Sequence, residues 1–347
     1  MRLQRSMRAI RYVRSGDPSV LELVDLPIPD PGYGEVRVRV VVSGVNPTDW
    51  KSRSGTFGGA PAEATTPNHD GAGVVDAVGG GVNGLSVGDR VWVTLAGDGR
   101  PAGGTAQDYT VVPAERVFPL PVGADFELGA AIGIPAITAH RALTVGEDGP
   151  ARLTPNALAG RKILVAGGAG AVGNAAIQLA RWAGAEVITT VSQEAKARLA
   201  TAAGAHHVIN YRQSDPAEAI RRIAADGVDL VVEVAAGANA QLDLAVLRPR
   251  GTISIYANDG GSPVELEVGR NMGLNARYQF VLLYTVGWDR ITAAAADINQ
   301  AIEDGALRVG EQAGLPLHRY SLEDTAAAHA AVESGMVGKV LIAVNPT

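Results

Sequence analysis

A glycine-rich turn between an apolar run and a helical pattern constrains this chain more than any other feature. The run Ile163 to Ala166 leads into Gly168-x-Gly170-x-x-Gly173, and apolar residues at helical spacing follow. In such turns the first glycine permits the tight bend, the second lets a phosphate approach the backbone, and the third lets helix and strand pack closely. The N–H groups and the positive dipole end of the helix near Val172 would hold the anion. The pattern predicts a dinucleotide-binding unit; a glycine-rich turn without a ligand is the alternative.

The tip of the next strand indicates which nucleotide is bound. Chains that bind NAD usually place Asp or Glu there, about 20 residues past the glycines, to take the ribose 2′-OH. This chain has Ser192, followed by Glu194 and Lys196. A hydroxyl and a cation suit a 2′-phosphate, which a carboxylate would repel. NADP(H) is therefore predicted, with NAD(H) as the alternative if Glu194 turns into the ribose pocket, and a solvated helix residue as the alternative role of Lys196.

Composition excludes several classes of protein. The chain has 347 residues, enough for two domains, and 36 acidic against 30 basic residues, which disfavours a general nucleic-acid binder. It contains no cysteine, so disulfides, thiolate zinc sites and cysteine nucleophiles are excluded together. No apolar run approaches the roughly 18 residues that a membrane span needs. A cytoplasmic enzyme is expected.

The order of strand and helix patterns predicts two domains. Residues 7–134 carry short apolar strands punctuated by Gly and Pro, which is typical of an antiparallel, barrel-like domain, and we expect no helix of note there. A helical pattern follows around 130–143, which Pro135 must break or kink. From Arg161 strands and helices alternate, which indicates a Rossmann-type doubly wound parallel sheet. The predicted fold is α/β, with a Rossmann domain (135–284) inserted in a mainly-β barrel domain (1–134 and 285–347).

Motifs spread along nearly the whole chain resemble those of one family. They are Met7-Arg8-Ala9-Ile10, Gly44-Val45-Asn46-Pro47, Gly88-Asp89-Arg90-Val91, the segments Gly103 to Tyr109, Gly133 to Leu143 and Gly167 to Gly173, Ile209 to Arg212, and Gly338-Lys339-Val340-Leu341. The chain resembles the zinc-independent quinone oxidoreductases of the medium-chain dehydrogenase/reductase superfamily, the group that includes zeta-crystallin. The resemblance implies a GroES-like catalytic domain, NADPH as cofactor and a homodimer.

The resemblance also implies roles for individual residues. Asn46 and Asp49 correspond to the polar floor of the active site, and Thr138 to the threonine near the nicotinamide. Lys51 is a candidate to assist an oxyanion, with a surface lysine as the alternative. The implied cofactor contacts are the pyrophosphate turn Gly168, Ala169, Gly170, Ala171, Val172 and Gly173; the 2′-phosphate group Ser192, Lys196 and Tyr211; and Asn239, Tyr256, Ala257, Phe280, Val281, Leu282 and Lys339.

No metal site is predicted. Asn46 stands where zinc-dependent alcohol dehydrogenases have a cysteine ligand, and the cysteine loop for a structural zinc is missing. His69-Asp70 is similar to the Gly-His-Glu of those enzymes, but one imidazole without a thiolate partner makes a poor zinc site. The remaining histidines show no metal spacing, and only His140 is kept as a weak site candidate.

Without zinc there is no Lewis acid to drive alcohol oxidation, so the acceptor must take up hydride readily. Quinones and α,β-unsaturated carbonyls meet that condition, and their reduction is the predicted activity. The resemblance implies that the homodimer forms through an edge strand near Tyr278 to Leu283, and the apolar run Phe280 to Tyr284 fits a covered edge. Two alternatives stay open: a 2-enoyl thioester reductase, which a longer channel and a positive patch for the carrier phosphate would favour, and an NADPH-binding structural or RNA-contacting protein, as some zeta-crystallins are thought to be.

Overall fold

The computed structural model describes residues 6–261 and 263–345, so the basic start of the chain, Met1 to Arg5, lies outside the described residues. The chain forms two compact units, Met1–Ile134 with Leu317–Thr347, and Pro135–Pro316. Within the described residues no helix is long and apolar enough to cross a membrane.

The strands of the described residues fall into three sheets. They are β1 (Ser6–Arg11), β2 (Glu22–Pro27), β3 (Glu35–Val45), β4 (Asp70–Val78), β5 (Arg90–Val93), β6 (Tyr109–Pro113), β7 (Val117–Pro119), β8 (Lys162–Ala166), β9 (Glu186–Val191), β10 (His207–Asn210), β11 (Val228–Glu233), β12 (Leu247–Ile255), β13 (Arg277–Phe280), β14 (Leu317–Ser321) and β15 (Lys339–Ala343).

The α-helices of the described residues are α1 (Pro47–Ser54), α2 (Phe126–Leu143), α3 (Ala171–Trp182), α4 (Glu194–Ala202), α5 (Pro216–Ile223), α6 (Ala236–Val246), α7 (Val268–Leu274), α8 (Trp288–Glu303) and α9 (Thr325–Glu333). Short 3₁₀ turns lie at Pro18–Val20, Ala114–Arg116, Leu283–Thr285 and Glu311–Ala313.

The first unit is built on a seven-stranded sheet with the order β14-β15-β3-β4-β5-β7, and β6 pairs with β3. All of its pairings are antiparallel except that between β14 and β15. Strand β3 shows why it forms: Val36, Val38 and Val40 are buried at alternate positions, with Arg37 and Arg39 between them. The predicted mainly-β domain is confirmed. Among the described residues the two end strands of this sheet, β14 and β7, do not pair with each other, so the sheet is not a closed barrel.

The expectation that residues 7–134 hold no helix of note was wrong. Helix α1 occupies Pro47–Ser54, where the residues are mostly polar and give little helical periodicity. Its ends account for it: Pro47 is at the first helical position, where its missing N–H costs nothing, and Gly55 ends the helix in the left-handed region with φ 84°. Helix α2 likewise begins at Phe126, ahead of the expected 130.

Helix α2 also continues past Pro135, which the sequence predicted to break or kink it. Proline removes one helical N–H, and its neighbour Ile134 directs its own N–H to the carboxylate of Asp70, at 2.8 Å from Oδ2. The carboxylate of Asp70 therefore satisfies the N–H beside the proline, and the helix is not broken there.

The second unit contains a six-stranded parallel sheet with the order β10-β9-β8-β11-β12-β13. Numbered from its first strand this is the order 3-2-1-4-5-6 of a Rossmann fold, and the order reverses between β8 and β11. Strand β8 is buried from Ile163 to Ala166. The predicted Rossmann sheet is confirmed, and ligands bind such sheets at the carboxyl ends of the strands beside this reversal.

The second unit is longer than the expected 135–284, because it extends to Pro316. Hydrogen bonds hold the added segment against α3: Trp182 Nε1 donates to Asp304 Oδ2 at 2.8 Å, and Asn174 Nδ2 donates to the carbonyl of Ala313 at 2.8 Å. The sequence pattern could not show which unit this segment joins.

Candidate active site

The turn between β8 and α3 uses its glycines in two different ways. A Cβ on Gly168 would overlap the side chain of Thr189, and one on Gly173 would overlap the carbonyl oxygen of Gly167. A Cβ on Gly170 would meet only that same carbonyl, at an ordinary 3.5 Å. Gly168 and Gly173 are thus required for packing, whereas Gly170 borders open space in which a phosphate could approach the backbone.

Helix α3 begins directly at this turn. Its N-cap is Gly170, which makes no side-chain cap, and Ala171, Val172 and Gly173 form its first turn. The N–H groups of a first helical turn have no acceptor within the helix, and they carry the positive end of its dipole. The turn therefore has the donor set that a pyrophosphate needs.

The other predicted cofactor residues of the second unit follow the carboxyl ends of parallel strands. Ser192 comes directly after β9, with Lys196 in α4; Tyr211 comes after β10; and Tyr256 and Ala257 come after β12. Phe280 ends β13, and Val281 and Leu282 follow it. Because all six strands are parallel, these residues share one edge of the sheet with the glycine turn. The fold brings together residues that the sequence spreads over more than a hundred positions.

A buried carboxyl pair lies where β11 ends. Glu233 accepts hydrogen bonds from the backbone N–H of Ala235 and, at 3.1 Å, from Nδ2 of Asn239. Asp243 on α6 is hydrogen bonded to Glu233, and burial, then the charge of Glu233, raises the pKa of Asp243 well above its usual range. Asp243 therefore holds its proton more tightly than a solvent-exposed aspartate does. The pair fixes the loop that presents Asn239, the predicted cofactor residue on α6.

A second polar cluster is buried in the first unit. Nζ of Lys339 donates to Oδ1 of Asn46 at 2.6 Å, and Nδ2 of Asn46 donates to Oδ2 of Asp70 at 2.7 Å. The backbone N–H of Asn46 donates to Oδ2 of Asp49 at 2.6 Å, which closes the first turn of α1. All four side chains are buried. The structure thus joins Asn46 and Asp49, predicted as catalytic, to Lys339, predicted as a cofactor contact.

Asp70 is the centre of this cluster. Its carboxylate accepts hydrogen bonds from Thr94 Oγ1 at 3.0 Å and from the N–H of Ile134, besides that from Asn46, and it lies 4.0 Å from Nζ of Lys339. Burial raises the pKa of Asp70, while the charge of Lys339 and these hydrogen bonds oppose the rise. Burial lowers the pKa of Lys339, against the charges of both carboxyl groups.

Asp49 has the more perturbed carboxyl group of the two. Burial raises the pKa of Asp49 to about 8, opposed by the hydrogen bond from Asn46 and reinforced by the charge of Asp70. Asp49 Oδ1 is buried without a hydrogen-bond partner among the described residues. At neutral pH this cluster therefore holds a proton on Asp49 beside a buried amide and the buried amino group of Lys339.

The remaining candidates lie in separate places. Lys51 on α1 stacks on the ring of Trp50, with Nζ 5.7 Å from the ring centroid. Thr138 is buried on α2, in the second unit. His140, also on α2, bonds through Nε2 to Asp297 at 2.8 Å, and Arg152 binds the same carboxylate, so His140 lies in a buried ion-pair cluster.

Burial, followed by the charge of Arg116, lowers the pKa of His69 to about 4, so His69 is neutral at pH 7. Within 6–261 and 263–345, no group of three or more His, Asp or Glu side chains is arranged to hold a metal ion.

Sequence reasoning missed five residues: Asp70 as an acceptor, the pair Glu233 and Asp243, and the arginines Arg141 and Arg290, which line one cavity with Tyr256 and Phe280. Glu233 carried a usable signal, because a carboxylate that ends an apolar parallel strand falls at the ligand edge of the sheet. Arg141 follows Thr138 by three positions, which places both on one face of α2.

Two family models match the chain and define its class. Residues 32–122 match the alcohol dehydrogenase GroES-like domain, and residues 171–300 match the zinc-binding dehydrogenase family. The first match lies in the sheet that carries Asn46 and Asp70, and the second begins with helix α3. This combination defines a two-domain oxidoreductase of the medium-chain dehydrogenase/reductase type.

Full-length relatives identify the branch. The chain is 35% identical to a quinone oxidoreductase of Lama guanicoe and 32% identical to that of Homo sapiens, in each case over 98% of both chains. The solved structure of the Escherichia coli quinone oxidoreductase in complex with NADPH covers 97% of this chain and all of its own, with a TM-score of 0.81 at 27% identity. The protein belongs to the quinone oxidoreductase family of the medium-chain dehydrogenase/reductase superfamily.

Proposed function

We propose that this protein is an NADPH-dependent, zinc-independent reductase of quinones or α,β-unsaturated carbonyls. The observation that carries the proposal is the glycine turn at the strand-order reversal, where Gly170 borders open space at the start of α3. The full-length similarity to quinone oxidoreductases, one of them solved with NADPH, supports it.

The residues at the carboxyl edge fit NADPH. The backbone of Gly168 to Gly173 would hold the pyrophosphate, and Ser192, Lys196 and Tyr211 would surround the 2′-phosphate with hydroxyl groups and a cation. Glu194 is exposed at the start of α4, where it is free to point to solvent. Asn239, Tyr256, Ala257 and the segment 280–282 would hold the nicotinamide half.

When bound, NADPH supplies the hydride for the acceptor. The protein's part is to orient the acceptor, exclude water and place polar groups at the oxygen on which negative charge collects. We assign the hydroxyl of Thr138, the amide of Asn46 and the ammonium of Lys51 to that role. Asp49 holds a proton at neutral pH in the cluster of Asn46 and is the proposed buried proton store.

Zinc independence rests on the donor set and on the charge of the cluster. The chain has no cysteine, and an amide occupies position 46. The ammonium group of Lys339 already supplies a positive charge beside Asn46 and Asp70. A divalent cation added there would face the repulsion of Lys339.

We also propose a homodimer that pairs through β13, the edge strand of the six-stranded sheet. Phe280 and Leu282 are 68% and 44% exposed at this edge, and a long exposed apolar edge invites pairing. Light scattering tests this proposal, since a dimer has twice the mass of the chain. A cytoplasmic location stays a prediction from the sequence.

The test of the activity follows NADPH oxidation by absorbance with 1,4-benzoquinone, a 2-alkenal or crotonyl-CoA as acceptor, and with NADH as the control cofactor. Turnover with the quinone or the alkenal, with NADPH preferred, is the expected result. Binding of NADPH without reduction of any acceptor would overturn the assignment of Asn46 and Thr138 and favour a binding protein.

A further inference from the structure

An open cavity of about 710 Å³ lies at the carboxyl edge of the six-stranded sheet in the second unit. Much of its wall is apolar or aromatic, formed by residues 255–258 and 279–282 together with Val286. Arg141 and Arg290 supply its charged groups, and the lining also includes Thr144, Val145, Ala151 and Thr285. Small-molecule sites in proteins have this volume and this mixture of an apolar wall with a few polar groups.

The charge of this cavity is opposite to that of the chain. The protein has 36 acidic and 30 basic residues, yet the described lining includes two arginines and neither Asp nor Glu. A cleft of one sign with low-dielectric walls concentrates ions of the other sign. The cavity therefore attracts an anion.

Neither arginine has a strong partner. Arg141 donates from Nη1 to the hydroxyl of Thr144 at 3.0 Å, while its Nε is buried without a partner, and no ion pair to Arg141 occurs among the described residues. Arg290 pairs only with its sequence neighbour Asp289, at 3.5 Å, and both side chains are more than half exposed. Such an exposed pair contributes little. The positive charge of the pair is thus largely uncompensated.

The two guanidinium groups also act on each other. Burial, followed by the charge of Arg290, lowers the pKa of Arg141, and only Asp289 opposes this. Like charges held at a partly desolvated site are unfavourable until an anion binds between them. A planar carboxylate or a phosphate is the group that arginine binds best, through paired hydrogen bonds.

The position of the pair connects it to the proposed reaction. Arg141 lies three residues after Thr138 on α2, so both occupy one face of that helix. The cavity wall includes Tyr256, Ala257 and the segment 280–282, the proposed contacts of the nicotinamide half. An anion bound by Arg141 would therefore lie beside the position of hydride transfer.

We propose that the acceptor of this enzyme carries an anionic oxygen group, a carboxylate or a phosphate, which Arg141 and Arg290 bind while the apolar wall covers its unsaturated part. This inference rests on the proposed function and narrows its substrate class. A neutral quinone would then be a poorer substrate that uses the wall alone.

The experiment compares one charged and one neutral form of the same enone. The rate of NADPH oxidation is measured with trans-3-benzoylacrylate, with its methyl ester, and with crotonyl-CoA, using the full-length protein and the variants R141Q and R290Q. The matched control is R222Q, which removes the same charge from a side chain that is 68% exposed on α5. Thermal unfolding and light scattering show whether each variant keeps its fold and oligomeric state.

The expected result is a loss of about tenfold or more in kcat/KM for an anionic acceptor in R141Q, mostly through KM, since the paired hydrogen bonds from the guanidinium group to the anion are lost. The methyl ester should change by less than about twofold, and R222Q should match the wild type with every acceptor. A loss confined to benzoylacrylate assigns a carboxylate beside the enone. A loss confined to crotonyl-CoA assigns a phosphate that lies a pantetheine arm away from the enoyl group, which would overturn the position beside hydride transfer.

Equal losses with the charged and neutral enones, or a rise in the KM for NADPH alone, would overturn the inference and assign the arginines to another role. Failure of the proposed function is separate, because it would appear as no turnover with any acceptor in the wild type. Calorimetry then still decides: benzoylacrylate should bind the wild type more tightly than its ester, and R141Q should abolish that difference. Equal affinities for the acid and for the ester would contradict the proposal.

Discussion

The ammonium nitrogen of Lys339 lies 2.6 Å from the amide oxygen of Asn46, which precedes it by 293 residues. The contact joins the start of the last strand, β15, to the N-cap of α1. It places a buried cation among Asn46, Asp49 and Asp70, so the two carboxyl groups and the amide form one electrostatic unit.

Replacing Lys339 by Met should destabilise the fold by about 3–5 kcal/mol at pH 7, because it removes the only cation of a buried cluster that holds two carboxyl groups. Lys162→Met is the matched control: that lysine is 35% exposed in its ion pair with Glu186, and pairs of this kind contribute about 0–1 kcal/mol. Urea denaturation of both variants measures the difference. Similar midpoints for the two would show that the buried charge is unimportant.

The proton on Asp49 should make stability depend on pH in a defined direction. Its pKa of about 8 in the folded state exceeds the ordinary value of 3.8, so the folded chain holds the proton more tightly than the unfolded chain. This group therefore lowers stability progressively as pH rises from about 4 to about 8. Asp49→Asn, which keeps an acceptor for the N–H of Asn46, should lack that decline. Thermal unfolding from pH 5 to pH 9 should show the variant gaining on the wild type, and parallel curves would contradict the assignment.

Two glycines of the same turn should respond differently to alanine. Gly173→Ala should destabilise the fold by about 1–3 kcal/mol, because the added Cβ overlaps the carbonyl oxygen of Gly167 and lies 2.9 Å from Cα of Gly168. Gly170→Ala should leave stability within about 0.5 kcal/mol, since its Cβ meets only an ordinary contact at 3.5 Å. It should instead weaken NADPH binding by occupying the space of the pyrophosphate. Thermal unfolding and NADPH titration separate the two effects, and unchanged NADPH affinity in Gly170→Ala would place the pyrophosphate elsewhere.

Cofactor preference should depend on Lys196. Lys196→Glu is expected to raise the KM for NADPH about tenfold or more, because it exchanges a cation for a carboxylate beside the proposed 2′-phosphate. The KM for NADH should change by less than about twofold, since NADH lacks that phosphate. The control is Arg198→Glu, the same change of charge at an exposed position of α4. Equal effects of the two variants would show that the general electrostatic field around α4 sets the preference for NADPH, and that Lys196 makes no specific contact with the phosphate.

The local sequence pattern was sufficient to predict the fold of the second unit. The apolar run at Ile163, the spacing of Gly168, Gly170 and Gly173, and the alternation that follows predicted the doubly wound parallel sheet that the structure has. Such elements are specified by neighbours in sequence, through hydrophobic period and glycine conformation. Helix α1 was missed because its caps specify it, and its polar residues carry no helical period.

The sequence could not predict which residues far apart along the chain meet in the folded protein. Asp70 seemed part of a possible metal motif, yet it accepts hydrogen bonds from Asn46, Thr94 and Ile134, which come from three different elements. Arg141 and Arg290 are 149 positions apart, as their numbers show, and share one cavity. No local sequence pattern encodes these tertiary contacts, because they depend on the order of the strands in each sheet and on the connections between them.

The sequence by itself determined the fold class, the dinucleotide turn, the family and the lack of cysteine ligands, since each depends on residues within a short window or on composition. Only the tertiary structure decided that Lys339 contacts Asn46, that burial beside Glu233 raises the pKa of Asp243, and that the second unit continues to Pro316. The physical reason is the same in each case. Burial and the charge of distant neighbours set the protonation and the contacts of these groups, and both exist only once the chain has folded.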